Sequence, residues 1–131
     1  MKNISAMQYK LISIDYRAAD DAVESQVLEV KINDSYKITK ITPDQFELSV
    51  IRAIMFEPVN LYSLRVELGI RYSLVDDING IEFSEKYIIE NHVNLVNSSD
   101  AFSWVSFLVS QISSNIGLTP IITPIGFVLA E

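Results

Sequence analysis

Residues 98–131 read SSDAFSWVSFLVSQISSNIGLTPIITPIGFVLAE, and this stretch contains the clearest structural signals in the chain. Its apolar residues recur at helical spacing up to residue 116. These residues are Phe102, Val105, Leu108, Val109, Ile112 and Ile116. Gly117 can end a helix because glycine adopts the left-handed conformation, and Pro120 prevents the helix from resuming. We therefore predict a helix over residues 100–116, followed by an extended, proline-rich segment.

The solvent side of this predicted helix has serines where charged residues are expected. A helix on the surface of a monomer normally has a charged outer face, but no Lys or Arg follows Lys86. The residues on that side are Ser103, Ser106, Ser110 and Ser113, flanked by Trp104 and Phe107. Small side chains allow another backbone to approach closely, and a tryptophan can anchor a partner. We predict that these six residues form the interface of a homo-oligomer, a dimer or a tetramer; a weakly polar, solvent-facing surface is the alternative.

Upstream, the apolar pattern has a period of two, which is typical of β-strands. Apolar and polar residues alternate without a break over residues 62–74. Such alternation indicates one buried and one solvated face, as in an antiparallel sheet. We predict further strands over residues 9–16, 25–33, 46–56 and 83–96, with residues 36–41 as a short strand or an extended arm. Arg52 interrupts the apolar face of its strand. We predict turns at residues 33–35 and 76–80, the second of which contains the hairpin signal Asn79-Gly80.

The order of these elements predicts an α+β fold. A meander of strands precedes one long C-terminal helix, which we expect to lie on one face of the sheet. Hydrophobic residues make up 49% of the 131 residues and charged residues 21%, as in compact globular proteins. We therefore predict a single domain over residues 1–131, which is long enough to bury a core.

The composition argues against several classes of protein. The chain has no Cys, which excludes disulfides, thiol catalysis and cysteine-ligated zinc. A net charge of −7 with no basic patch argues against binding to nucleic acid. No apolar run reaches the roughly 18 residues of a membrane span, and the first ten residues lack the apolar segment of a secretion signal. We expect a cytoplasmic protein that binds neither nucleic acid nor membrane.

No residue pattern predicts catalysis, a cofactor or a metal site. His92 is the only histidine, and a general base needs an orienting acid and a nearby target. Residues 76–80, DDING, resemble part of a calcium loop but lack the remaining ligands, so we interpret them as a turn. The sequence has no nucleophile elbow, phosphate-binding glycine loop or dinucleotide motif. We predict that the protein is not an enzyme.

The C-terminal stretch resembles the end of the SecB export-chaperone family. In that family a helix is followed by a pattern like Gly-Phe-Pro-x-Leu-x-Leu-x-Pro-Ile-Asn-Phe, and residues 117–127 here read GLTPIITPIGF. The matching residues are Gly117, Pro120, Pro124, Ile125 and Phe127, whereas Thr119 and Gly126 depart from the pattern. Residues 9–16, 28–32, 46–56 and 62–74 are similar to the family's strands. The resemblance covers most of the chain, but only its C-terminal part is specific.

The resemblance implies a four-stranded antiparallel sheet with the helix behind it, and assembly as a dimer of dimers with the helices packed between. Members of the family hold unfolded proteins in apolar grooves without ATP. By position, the residues that would bind such a client are Leu118, Pro120, Ile122, Pro124 and Phe127. Binding of this kind buries apolar client surface and needs no catalytic residue.

Two departures from the family limit what the resemblance implies. The family continues into a second helix and a polar tail where this sequence ends, so we interpret the chain as C-terminally truncated. The family also docks the translocase motor through that tail and through acidic residues on the outer face of the sheet. Asp20, Asp21 and Glu24 lie near the first of these acids and are the candidate docking patch; a solvated face is the alternative. We do not expect docking of the translocase motor to carry over.

Two functions follow from these observations. The first is an ATP-independent, chaperone-like domain that holds an unfolded or partner polypeptide by apolar surface. Its client is either broad or a single partner, such as an antitoxin-type protein. The alternative is a structural or adaptor protein that keeps the SecB-like fold but has lost general client holding.

Overall fold

The sheet and helices of the protein form an α+β fold. The structure, a computed structural model, describes residues 1–18, 29–57, 62–115 and 120–128. The strands are β1 (Lys2–Ala18), β2 (Glu29–Ile41), β3 (Gln45–Glu57) and β4 (Tyr62–Asp76), and the helices are α1 (Glu85–Ser98) and α2 (Ala101–Asn115). All strand pairs are antiparallel and the order is β1-β4-β3-β2, so β1 and β2 form the two edges. The predicted four-stranded antiparallel sheet is confirmed.

The core lies between the helices and the side chains of β3 and β4 that point toward them. Phe46 lies opposite Tyr72, and Leu48 lies opposite Ile70. All four side chains are buried, as the alternating pattern predicts. From α2, the buried residues Phe102, Val105 and Val109 pack into the same cluster. The apolar stripe predicted for this helix is therefore confirmed over its described part.

The predicted strand at residues 83–96 is wrong, because most of this segment is helix α1. Its buried residues Ile88, Leu95 and Val96 have the spacing i, i+7 and i+8, which places them on one face of a helix. Ser84 caps the helix by accepting a hydrogen bond from the Tyr87 backbone N–H at 3.2 Å. A strand would also place Asn91 in the middle of its apolar face, and this break in the alternation was the signal for a helix.

The prediction of one long C-terminal helix is also wrong, since two helices meet at Ser99 and Asp100. Asp100 has a φ of 61°, and a residue in the left-handed region ends an α-helix. The sheet holds this junction in place. The Tyr9 hydroxyl donates to the Ser99 carbonyl, and the Tyr72 hydroxyl donates to the Leu95 carbonyl at 2.9 Å. The carbonyls of Leu95 in the last turn of α1 and of its C-cap residue Ser99 therefore have side-chain partners from β4 and β1.

The turn predicted at residues 33–35 is wrong as well, because β2 runs through it without interruption. Asp34 lies opposite Arg52 in the register of β2 and β3. A strand normally disfavours aspartate, but here the carboxylate has a buried cationic partner. The same pairing explains why Arg52 interrupts the apolar face of β3.

The turn predicted at residues 76–80 is confirmed, although it does not lead into a long hairpin strand. The Asp77 carbonyl accepts from the Gly80 N–H at 3.0 Å, and Asp77 Oδ1 accepts from the Asn79 N–H at 2.8 Å. Ile81 then pairs with Lys2 at the start of β1. A Cβ at residue 80 would lie 2.3 Å from the Lys2 carbonyl oxygen, so only glycine fits. Within the described residues, no cluster of three or more potential metal ligands occurs.

Neither described helix is long and apolar enough to cross a membrane.

Full or partial burial of three tyrosines gives the fold a dependence on alkaline pH. Burial raises the pKa of Tyr9, Tyr62 and Tyr72 above the usual range for tyrosine. In the unfolded chain these hydroxyls ionise near pH 10. Their contribution to stability is therefore complete below about pH 10 and declines as the pH rises further. We expect the free energy of unfolding, measured with urea, to fall above this pH, and to fall less steeply in Tyr72→Phe. Ionisation of all six tyrosines of the folded protein at the ordinary pKa would contradict this prediction.

Candidate polypeptide-binding surfaces

Residues 120–128, which we call the tail, lie in a groove of the folded body and present two kinds of side chain. Thr123 is buried, and Ile121 and Phe127 are half-buried against the core. The outward-facing residues, which we call the tail ridge, are Pro120, Ile122, Pro124 and Ile125. Of the residues predicted to bind a client, three therefore lie on the exposed ridge and Phe127 turns inward. Leu118 lies outside the described residues.

A buried ion pair holds the centre of the tail. Arg52 on β3 donates to the Asp34 carboxylate from Nε at 2.8 Å and from Nη2 at 2.7 Å, and both side chains are fully buried. Arg52 Nη1 also donates to Thr123 Oγ1 at 3.0 Å and to the Pro124 carbonyl. Nη2 donates to the Gly126 carbonyl at 2.9 Å. Arginine has five N–H groups, so every donor of this guanidinium is used.

Side chains from three further positions bind the backbone of the tail. Ser106 and Ser113, both on α2, bind it at two points: Ser106 Oγ donates to the Thr123 carbonyl, and Ser113 Oγ accepts from the Ile121 N–H, each at 2.8 Å. Asn97 Oδ1 on α1 accepts from the Phe127 N–H at 2.9 Å. We call the side chains of Asp34, Arg52, Asn97, Ser106 and Ser113 the tail groove. The tail is thus held by side chains that bind its backbone, as a groove holds a peptide.

Aromatic rings enclose the far end of the tail. The Phe127 ring meets the rings of Tyr36, His92 and Phe102 edge-on, with centroids 5.4–6.5 Å apart. His92 stacks on Tyr36 at 3.9 Å, and its Nδ1 lies 2.8 Å from the Ile89 carbonyl oxygen. His92 was predicted on a strand but lies on α1, where its described partners are rings and a carbonyl. The Phe102 ring also lies beneath the Arg52 guanidinium, with Cζ of Arg52 4.4 Å from the centroid of the ring.

The serine stripe of α2 is covered in part by the chain itself. Ser106 and Ser113 are buried and bonded to the tail, so for these two residues the covering segment is intramolecular. Trp104 and Phe107 have 54% and 55% of their surface exposed. Ser103 and Ser110 are half-buried. For the residues other than Ser106 and Ser113, an oligomer interface stays a prediction.

A second apolar surface lies on β1, and the sequence did not predict that it would be uncovered. We call its residues, which lie on the helix-covered side of the sheet, the β1 strip: Met7, Tyr9, Leu11, Ile14 and Tyr16. Each is 37–45% exposed, whereas their register partners on β4 are buried. Within the described residues β1 pairs with β4 and, at Lys2 alone, with Ile81, so the rest of its outer edge is open. Apolar and polar residues alternate along a strand in the same way whether a helix of the same chain or another molecule covers its apolar side. The sequence of β1 therefore could not show that this side is uncovered.

The outer face of the sheet has charges of both signs. Glu67 lies 3.2 Å from Lys37 Nζ and 3.4 Å from Arg65 Nη2, and Arg71 lies 2.8 Å from Glu47. The candidate docking residues Asp20, Asp21 and Glu24 lie outside the described residues, so docking of a motor through them stays untested.

Comparisons with known proteins identify the fold but no family. The chain matches no protein-family model and none of the curated proteins. A solved structure of the Mycobacterium tuberculosis Rv1957 SecB-like chaperone, in complex with a ChAD peptide from the Rv1956 HigA1 antitoxin, aligns with a TM-score of 0.66 at 9% identity. The alignment covers 95% of this chain and 86% of that one. A Streptococcus agalactiae protein of unknown function aligns at 9% identity with a TM-score of 0.38, which is too low to support an inference. The fold of this chain is therefore similar to that of a SecB-like chaperone.

Proposed function

We propose that this protein is an ATP-independent, chaperone-like domain that holds an unfolded or partner polypeptide on apolar surface and works as a homo-oligomer. The observation that supports it is the amount of apolar surface left open around a well-packed core. Ile122 and Ile125 on the tail ridge are 80% and 69% exposed, and Phe107 is also exposed. Monomeric proteins rarely leave such surface open unless it binds something.

The two apolar surfaces suit different partners. The β1 strip lies on an open edge, and two copies of an antiparallel edge strand can pair about a twofold axis to join their sheets. Trp104 and Ser106 are two residues apart on a helix, which places Trp104 on the side of α2 away from the tail. We assign the β1 strip and Trp104 to assembly. The tail ridge is exposed without being a strand edge, and we assign it to the client.

The fold comparison supports a polypeptide as the ligand. The similar structure contains a chaperone bound to a peptide from an antitoxin, and a client of this chain would be a peptide segment of similar kind. We propose that the holding of a client does not use ATP, because the sequence has no phosphate-binding glycine loop. Holding by apolar surface needs only burial of client side chains, which stabilises the complex by about 25 cal/mol for each Å² buried.

Suppression of aggregation tests the function. We expect the wild-type protein to lower the light scattering of a reduced, unfolded model protein, equally with and without ATP. The double variant Ile122→Asp/Ile125→Asp should lose most of this effect, because each isoleucine contributes about 1.5–3 kcal/mol of apolar burial. Ile78→Asp is the matched control, since Ile78 is 92% exposed in the turn after β4.

The outcome separates the two functions predicted from the sequence. Equal suppression by wild type and by the double variant would remove the tail ridge from the client surface. No suppression by wild type at several-fold excess would contradict holding of broad clients and favour the structural or adaptor function.

A further inference from the structure

We propose that the tail groove is a peptide-binding site in its own right, which the tail fills in cis and which accepts an extended peptide of the pattern Ile-x-Thr-x-x-x-Phe in trans. This inference deepens the proposed function, on which its biological role rests, by naming a class of peptide and an intramolecular competitor.

The hydrogen bonds of Arg52 show that the groove is built to receive a peptide backbone. Two of its five N–H groups are used within the body, by Asp34, and the other three bind Thr123, Pro124 and Gly126. Without a peptide in the groove, these three N–H groups of the charged guanidinium would lose their protein acceptors, which is unfavourable. The site therefore requires a hydroxyl and two carbonyls at fixed spacing.

The Asp34 carboxylate also binds the backbone of the tail. Its Oδ2 accepts from Arg52 and from the Val128 N–H at 2.7 Å. Arg52 and Asp34 together thus provide hydrogen-bond donors and an acceptor for the backbone of a bound peptide. Such recognition of main-chain groups gives affinity, while pockets for individual side chains give sequence preference.

The pattern follows from which side chains of the tail enter the body. Thr123 is buried and bonded to Arg52, and Phe127 and Ile121 pack against the core. Ile122 points outward and is 80% exposed. A Cβ at Gly126 would lie 3.6 Å from Asn97 Oδ1, which is ordinary contact, so this position does not demand glycine. The recognised residues are therefore those that match 121, 123 and 127.

Covalent attachment makes the tail a strong competitor. A segment tethered by a short connection has an effective concentration in the millimolar range, so a free peptide of equal affinity displaces it poorly. Weakening the tail in cis, without changing the groove, should open the site to a peptide in trans. Phe127 is suited to this change because its side chain belongs to the tail alone.

Binding of a synthetic peptide to full-length variants tests the inference. The probe is a fluorescent peptide with the sequence of residues 120–128, PIITPIGFV, followed by anisotropy. We expect Phe127→Ala to bind it roughly tenfold to a hundredfold more tightly than wild type, from the loss of one half-buried aromatic ring in cis. Ile78→Ala is the control and should bind like wild type, because Ile78 is 92% exposed in the turn after β4 and belongs to neither the tail nor the tail groove. A peptide with Val for the threonine and Ala for the phenylalanine should not bind Phe127→Ala.

Several results would overturn the inference. One is a folded Phe127→Ala variant, with a cooperative unfolding transition, that does not bind the peptide. A gain in Ile78→Ala equal to that in Phe127→Ala is another. If Phe127→Ala does not fold, Thr123→Val replaces it, with an expected gain of a few-fold; no gain in that variant also overturns the inference.

The peptide assay and the aggregation assay fail independently. Peptide binding without suppression of aggregation would leave the groove established and contradict the proposed function. Suppression of aggregation without peptide binding would support the proposed function and contradict the peptide-binding groove.

Discussion

We expect the replacement of Arg52 by Met to lower the free energy of unfolding by about 3–5 kcal/mol. The substitution leaves the Asp34 carboxylate fully buried without its cationic partner. It also removes the donors that bind Thr123, Pro124 and Gly126, so the tail loses its central attachment. The measurement is urea denaturation at neutral pH followed by circular dichroism, with the midpoint and slope compared with those of wild type.

Arg71→Met is the matched control for Arg52→Met. Arg71 pairs with Glu47 at 2.8 Å on the outer face of the same sheet, but its side chain is 50% exposed. Exposed ion pairs contribute about 0–1 kcal/mol, so this variant should unfold almost like wild type. The double variant Arg52→Met/Asp34→Leu should lose less stability than Arg52→Met, since it leaves no buried unpaired charge. Equal losses in Arg52→Met and Arg71→Met would show that the buried pair does not anchor the fold.

The partner of Arg52 could not be predicted from the sequence. Asp34 lies 18 residues earlier, in a segment whose Asn-Asp-Ser composition favours a turn. Composition reports what a segment does in isolation, whereas a buried cation on the next strand supplies the interaction that keeps Asp34 in a strand. The signal that was present, a lone Arg on an apolar strand face, implied a buried partner without naming it.

The two helices differ in how well the sequence predicts them. In α2 the apolar stripe is dense, and its period cannot be confused with that of a strand. In α1 only Ile88, Leu95 and Val96 are buried, and the half-exposed Ile89 gives the segment a false alternation. The start of α2 near residue 100 was predicted, but the end of α1 at the same place was not, because hydroxyls from distant strands bind the Leu95 and Ser99 carbonyls there.

The tail was identified from the sequence, but the orientation of its residues was not. Phe127 was predicted to bind a client and instead packs against Phe102 and His92. In an extended segment without strand pairing, no regular period separates inward from outward residues. The side of each residue depends on which backbone groups Arg52 and its neighbours bind, and that is fixed only in the folded protein.

We expect the replacement of Ile14 by Asp to disrupt the proposed assembly and to leave a monomer of 14.8 kDa. Ile14 lies on the β1 strip opposite the buried Val66, yet it is 41% exposed. In a twofold assembly each substitution occurs in both copies, so the lost apolar burial counts twice and a carboxylate enters the interface. We expect the dissociation constant to rise roughly a hundredfold or more, measured by size-exclusion chromatography with light scattering.

Ile12→Asp separates loss of assembly from a general effect on β1. Ile12 is of the same type and is 46% exposed, but its side chain lies over Gly69 on the opposite face of the sheet. Ile12 falls at a register shift of β1. Although it is only two residues from Ile14, its side chain therefore lies on the opposite face of the sheet. Ile12→Asp should therefore keep the wild-type mass while Ile14→Asp does not. A strictly monomeric wild-type protein would contradict the assembly, and dissociation by both variants would show that edge pairing matters more than the apolar side of the strip.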